Sequence, residues 1–115
     1  FCRDMPAAYA CADIVLARAG ASSLSELATV GLPCVLVPYP FAADDHQTAN
    51  ASAYVNKGAA EMISEDRLTG TSLAAMLRNL WSHPDKLSRM AENMLACSPP
   101  AAAATMADRI AASLT

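Results

Sequence analysis

The sequence predicts an α/β domain: the second half of a Rossmann-like, doubly wound parallel sheet, with extra helices at its C-terminal end. Three observations lead there. Residues 14–17 and 34–37 are apolar throughout, the pattern of strands covered on both faces. Helical patterns separate these runs, which calls for parallel crossovers. Glycine or proline punctuates nearly every junction.

Each element has its own local cause. Asp4 followed by Met5-Pro6 is an N-cap with an early proline and opens a helix over residues 5–11. Residues 14–17, Ile-Val-Leu-Ala, form a short buried strand. Ser23-x-x-Glu26 has the form of a capping box and opens a helix reaching Val30. Gly31 then serves as a left-handed C′ residue, and Pro33 prevents continuation. Residues 34–37 are a second buried strand, closed by Pro38 and Pro40. A polar loop holds Asp44 and Asp45. A helix from 46 to 57 ends at Gly58, and residues 60–63 are a third, weaker strand. Thr71 or Ser72 caps a helix to Trp81, His83-Pro84 breaks it, and another runs from Pro84 to Ala96. Pro99-Pro100 breaks again before an alanine-rich helix to the end.

Composition bounds the rest. The chain has 115 residues, enough for one domain, and it begins at Phe1, as a segment of a longer protein would. Hydrophobic residues make up 54% and aromatics 5%, so the core is built from alanine with a few Leu, Ile, Val and Met. A net charge of −3 gives no electrostatic footing for nucleic acid. No apolar run approaches the roughly 20 residues of a membrane span, and no signal peptide is visible. Cys2, Cys11, Cys34 and Cys97 lie far apart with no CxxC, which reads as buried or partly buried reduced thiols in a cytoplasmic protein. Met76, Leu77, Leu80 and Trp81 read as core or domain-interface residues.

Ligands of doubly wound sheets bind beyond the carboxyl ends of the strands, and two polar motifs sit there. The first is Arg18-Ala-Gly-Ala-Ser-Ser-Leu-Ser-Glu26. A glycine turn at Gly20 lets backbone approach a phosphate, and the helix start behind it offers N–H groups and the positive dipole end. Ser22 and Ser23 either donate to phosphate oxygens or cap the helix. Glu26 either accepts sugar hydroxyls or closes the capping box. Arg18 either pairs with phosphate or braces the Glu26 helix. The second motif is His46-Gln47-x-x-Asn50-Ala51, after the next strand. Gln47 and Asn50 either meet a ligand or brace the loop. No nucleophile elbow accompanies His46, so hydrolytic triads gain no support. Asp44-Asp45 lacks the Asp-x-Asp spacing of a metal-dependent transferase, and no metal or other cofactor is implied.

These stretches, with Ala12-Asp13, Gly31-Leu-Pro33, Pro38 and Gly58-Ala59-Ala60, strongly resemble the MurG family. Its members are bacterial UDP-N-acetylglucosamine transferases acting on lipid-linked N-acetylmuramoyl pentapeptide in peptidoglycan synthesis. The resemblance covers nearly the whole chain and weakens after residue 66. It implies the second half of the C-terminal, donor-binding domain of a two-domain GT-B fold. The N-terminal acceptor domain and the first half of the donor domain then lie outside these residues, leaving no catalytic residue within them. It further implies that backbone at Phe1 and Cys2 reads the uracil edge, and that Gly20, Ala21, Ser22 and Ser23 contact the diphosphate. Glu26 holds the ribose hydroxyls, and His46 and Gln47 contact the N-acetylglucosamine. Asn50 matches a motif position whose role is not separable from loop bracing. Ala19 stands where the family also has serine, and Ser23 where threonine is frequent. The implied partners are UDP-N-acetylglucosamine, the lipid acceptor through the N-terminal domain, and the cytoplasmic membrane face through other parts of the protein. Two alternatives stand beside this: a glycolipid transferase using UDP-glucose or UDP-galactose, and a non-catalytic α/β binding module.

Overall fold

A computed structural model describes residues 5–40 and 46–98. The expected break at Pro99-Pro100, the helix beyond it, the Asp4 cap, Phe1, Cys2 and the Asp44-Asp45 loop lie outside the described residues. The elements run α1 (Met5–Cys11), β1 (Val15–Ala17), α2 (Ala21–Val30), β2 (Cys34–Leu36), α3 (His46–Asn56), β3 (Ala60–Met62), α4 (Gly70–Trp81) and α5 (Pro84–Ala96). A 3-10 turn over Glu65–Arg67, which the sequence did not announce, precedes α4.

The strands form one parallel sheet in the order β1-β2-β3, with Val15 opposite Cys34 and Cys34 opposite Ala60. Alternate residues of β2 point into different layers. Cys34 and Leu36 join Leu24, Leu27, Ala28, Ala51 and Met94 on one face. Val35 and Val37 join Ile63, Leu80 and Met90 on the other. The doubly covered sheet is therefore real at β2, where all three strand residues are buried.

β1 departs from expectation. Only Val15 and Ala17 pack against the core, while Leu16 is 49% exposed. Among the described residues β1 pairs with β2 alone, and on its second face Ile14, just before the strand, packs against the Val35, Leu80 and Met90 cluster while Leu16 is left half-exposed. Two further expectations are corrected. Cys11 is exposed, because α1 turns Tyr9 and the following Ala12 toward the core and the thiol away. Trp81 is 70% exposed, which removes the core alternative for it and leaves the domain-interface one: Leu80 takes the inward position, and the next residue lies about 100° around the helix.

α4 starts earlier than its Thr71 or Ser72 signal suggested. Thr69 is the N-cap, and Ser72 closes a reciprocal capping box with it. Ser72 at N3 takes the place usually held by Glu or Gln, so the box lacks the acidic or amide signature that marks it in sequence.

α5 closes the opposite end of the sheet from the strand carboxyl termini. Gly31, the C-cap of α2, has φ 69° and packs so closely on α5 that a Cβ would lie 2.6 Å from Leu95 Cγ. Gly58, with φ 72°, lies under Asn93, whose Nδ2 donates to its carbonyl at 3.0 Å. Both turns need the left-handed backbone that glycine adopts without cost.

Candidate functional site

β1 leads into α2 through Arg18, Ala19 and Gly20. Gly20 is the N-cap of α2, with φ −69° and ψ 143°, and its carbonyl accepts from the Leu24 N–H at 3.0 Å. The N-cap therefore lies three residues before Ser23, and Ser22 and Ser23 stand exposed in the first turn of the helix. The expected capping box between Ser23 and Glu26 does not form. Leu24, Leu27 and Ala28 must all face the core, and the helix starts where the extended chain leaves β1. Gly20 brings no side-chain oxygen, so no side-chain cap closes this end. The N–H groups of the first turn, on Ala21, Ser22 and Ser23, have no intrahelical acceptor.

Gly20 is not a strained hinge. Its φ suits any residue, and a Cβ there would meet only Gln47 Nε2, at an ordinary 3.9 Å. Neither backbone conformation nor packing among the described residues requires glycine.

α3 brings the second motif to the same edge. Gln47 Oε1 accepts two backbone N–H groups, from Ala19 at 3.2 Å and Tyr39 at 2.8 Å. Asn50 Nδ2 donates to the Ala19 carbonyl at 3.1 Å. The loop-bracing reading of both residues is thus realised: α3 ties the exits of β1 and β2 together. The Gln47 carbonyl oxygen is committed, and its amide nitrogen is turned toward Gly20. His46 is exposed at the start of α3.

Glu26 sits in the second turn of α2, half-buried, where its Oε2 accepts the Tyr9 hydroxyl at 3.2 Å. Burial first, then the Glu26 charge and that hydrogen bond, push the Tyr9 phenol up to about 12. No sequence signal points to Tyr9; only its contact with Glu26 across α1 and α2 reveals it.

Arg18 does not brace the Glu26 helix. It turns the other way, toward the end of β2, pairing with Glu65 Oε1 at 2.5 Å. Its Nη1 donates to the Val37 carbonyl at 3.5 Å, and its guanidinium lies 5.4 Å from the Tyr39 ring centroid. Glu65 belongs to the unforeseen 3-10 turn, so this partner was not legible. A cleft of about 860 Å3 opens on that side, lined by Pro38, Pro40, Thr48, Met62, Glu65 and Ser72. It adjoins the first turn of α3, while Gly20, Ser22, Ser23 and Glu26 lie outside its lining. No three His, Cys, Asp or Glu side chains gather at metal-binding range among the described residues.

A parallel sheet whose carboxyl ends carry an uncapped helix start, facing polar side chains of the next helix, has the architecture of a doubly wound α/β domain, the class in which ligands bind at that edge. The chain belongs to glycosyltransferase family 28, as its C-terminal domain, the family model matching residues 1–110. It is similar to the UDP-N-acetylglucosamine--N-acetylmuramyl-(pentapeptide) pyrophosphoryl-undecaprenol N-acetylglucosamine transferases of several bacteria. The Paramagnetospirillum magneticum protein is 48% identical over 96% of this chain and 30% of its own length. The one from Anaeromyxobacter sp. is 49% identical over 94% of this chain and 28% of its own length. The chain thus spans less than a third of the relatives it matches. The crystal structure of Acinetobacter baumannii MurG superposes with a TM-score of 0.80 at 37% identity, covering 96% of this chain and 33% of that one. A glycosyltransferase of kitacinnamycin superposes with a TM-score of 0.62 at 28% identity, covering 90% of this chain and 27% of that one.

Proposed function

We propose that this segment supplies part of the donor site of an inverting transferase. That enzyme moves N-acetylglucosamine from UDP-N-acetylglucosamine to lipid-linked N-acetylmuramoyl pentapeptide in peptidoglycan synthesis. The observation that carries the reading is the start of α2: first-turn N–H groups without an intrahelical acceptor, behind a glycine that nothing among the described residues requires. Leaving out the Cβ keeps that surface open for close approach by a diphosphate.

Each part of the donor then has a partner. The N–H groups of Ala21, Ser22 and Ser23, with the α2 dipole, receive the diphosphate. Negative charge grows there as the glycosidic bond to UDP breaks, so fixed donors favour the transition state over the ground state. Helped by them, the leaving group needs no metal. Glu26, held by Tyr9, accepts the ribose hydroxyls. Gln47 faces the sugar through its Nε2, since its Oε1 is engaged. His46 joins it from the same turn as a hydrogen-bonding group and not as a base. Backbone at Phe1 and Cys2 reads the uracil. Arg18, committed to Glu65, reaches phosphate only by leaving that partner. The lipid acceptor and the catalytic base are assigned to the N-terminal domain, and the whole enzyme works as a peripheral protein on the cytoplasmic membrane face.

Titration of the intact polypeptide with UDP-N-acetylglucosamine, UDP-glucose and UDP-galactose tests the reading. Preference for the first supports it. Preference for either hexose moves the protein to the glycolipid transferases, and no binding of UDP in any form leaves only a binding module.

A further inference from the structure

We propose that Asn50 is a positioning residue: it does not contact the donor but locks the peptide between Ala19 and Gly20, from which α2 begins. The inference rests on the reading that a diphosphate sits at the start of α2. Ala19 is held on both of its polar groups by one helix, its N–H by Gln47 and its carbonyl by Asn50. Positions 47 and 50 are three apart, so both side chains leave α3 on one face. The peptide is trans, so a carbonyl aimed at Asn50 turns the Gly20 N–H away from α3.

The lock answers a weakness that glycine creates. Rotating the Ala19–Gly20 peptide about its long axis exchanges the directions of its N–H and C=O and changes the Gly20 φ. A residue with a Cβ resists most such rotations; glycine does not. The residue that opens the turn to a ligand therefore also frees the turn to misdirect its donors. Gln47 holds the preceding peptide, whose N–H belongs to Ala19. Among the described residues Asn50 alone holds the carbonyl of the peptide that can rotate. Its acceptor is a backbone carbonyl, so only a donating side chain serves.

The test compares Asn50→Asp and Asn50→Ala with wild type in the intact polypeptide, measuring dissociation constants for UDP and for uridine, with melting midpoints recorded alongside. Uridine keeps the base and ribose contacts and lacks the diphosphate. The expected result is a loss of about tenfold or more for UDP, with uridine changed less than about twofold, in both variants. Asn50→Asp is isosteric and cannot donate to a carbonyl, so it decides the matter should Asn50→Ala fail to fold. Equal losses for the two ligands would make Asn50 a support of the fold alone and overturn the proposal, as would unchanged UDP affinity. A wild type that binds UDP no more tightly than uridine overturns the diphosphate reading itself, and this inference with it.

Discussion

The Tyr9 hydroxyl donates to Glu26 across 3.2 Å, so α1 fixes the carboxylate that α2 presents. Glu26 makes no cap, and its substitution should not weaken the start of α2. In the intact polypeptide, Glu26→Ala is expected to cost about 1.5–3 kcal/mol of UDP-sugar binding, the range for hydrogen bonds to a charged group. Tyr9→Phe keeps the carboxylate and should cost only about 1 kcal/mol of stability. Calorimetric titration separates the two; unchanged donor affinity in Glu26→Ala sinks the ribose role.

Gln47 divides its amide between two tasks. Gln47→Glu keeps an acceptor for the Ala19 and Tyr39 N–H groups and loses the Nε2 donor. Its melting temperature should stay near wild type while UDP-N-acetylglucosamine affinity falls toward that of UDP. Gln47→Ala should lower both, leaving two backbone donors unpaired at about 1–3 kcal/mol. A Gln47→Glu variant that still prefers the sugar nucleotide over UDP would place the sugar elsewhere.

Alkaline pH should unfold the chain earlier than its carboxylates would suggest. Burial raises the Cys34 thiol from 9.0 to about 12, and the Tyr9 phenol rises from 10.0 to about 12. Both folded values exceed the unfolded ones. Their contribution is complete below about pH 9 and is lost as pH rises toward 12. Tyr9→Phe should flatten the part of that loss above pH 10. Thiol-specific labelling at pH 8 should modify exposed Cys11 quickly and reach Cys34 only on unfolding. Rapid labelling of Cys34 in the native state would contradict the burial argument.

Among the described residues β1 presents an unpaired edge with Leu16 half-exposed beside it, a template for strand pairing between copies. The 115-residue chain expressed alone should self-associate and bind UDP-sugar weakly at best. Leu16→Lys should shift sedimentation toward monomer. A stable monomer in the unaltered chain, with micromolar donor affinity, would refute this.

Much of the fold is written locally. Proline at Pro84, glycine at Gly31 and Gly58, and the apolar run at β2 fix boundaries that the structure reproduces within a residue or so. What failed depended on contacts between distant segments. Ser23 and Glu26 have capping spacing, yet the burial of Leu24 and Leu27 sets where α2 starts. The apolar run 14–17 promised cover on both faces, and the described neighbours cover Ile14 there but leave Leu16 half-exposed. In the site, residue types were legible but partners were not. Arg18 meets Glu65 forty-seven positions away, and Gln47 reaches back twenty-eight to Ala19. No short-range pattern carries such pairings.

The two glycine turns under α5 lie away from the strand ends that carry the site, and they give the domain unequal tolerance to change. At Gly31, any side chain meets both a left-handed backbone and Leu95, so a variant there needs a compensating change on α5. At Gly20 no such pairing exists, and an alanine would fold without complaint. Selection for stability can therefore police Gly31 while remaining blind to Gly20, and a library screened only for soluble, folded protein should lose the second glycine long before the first.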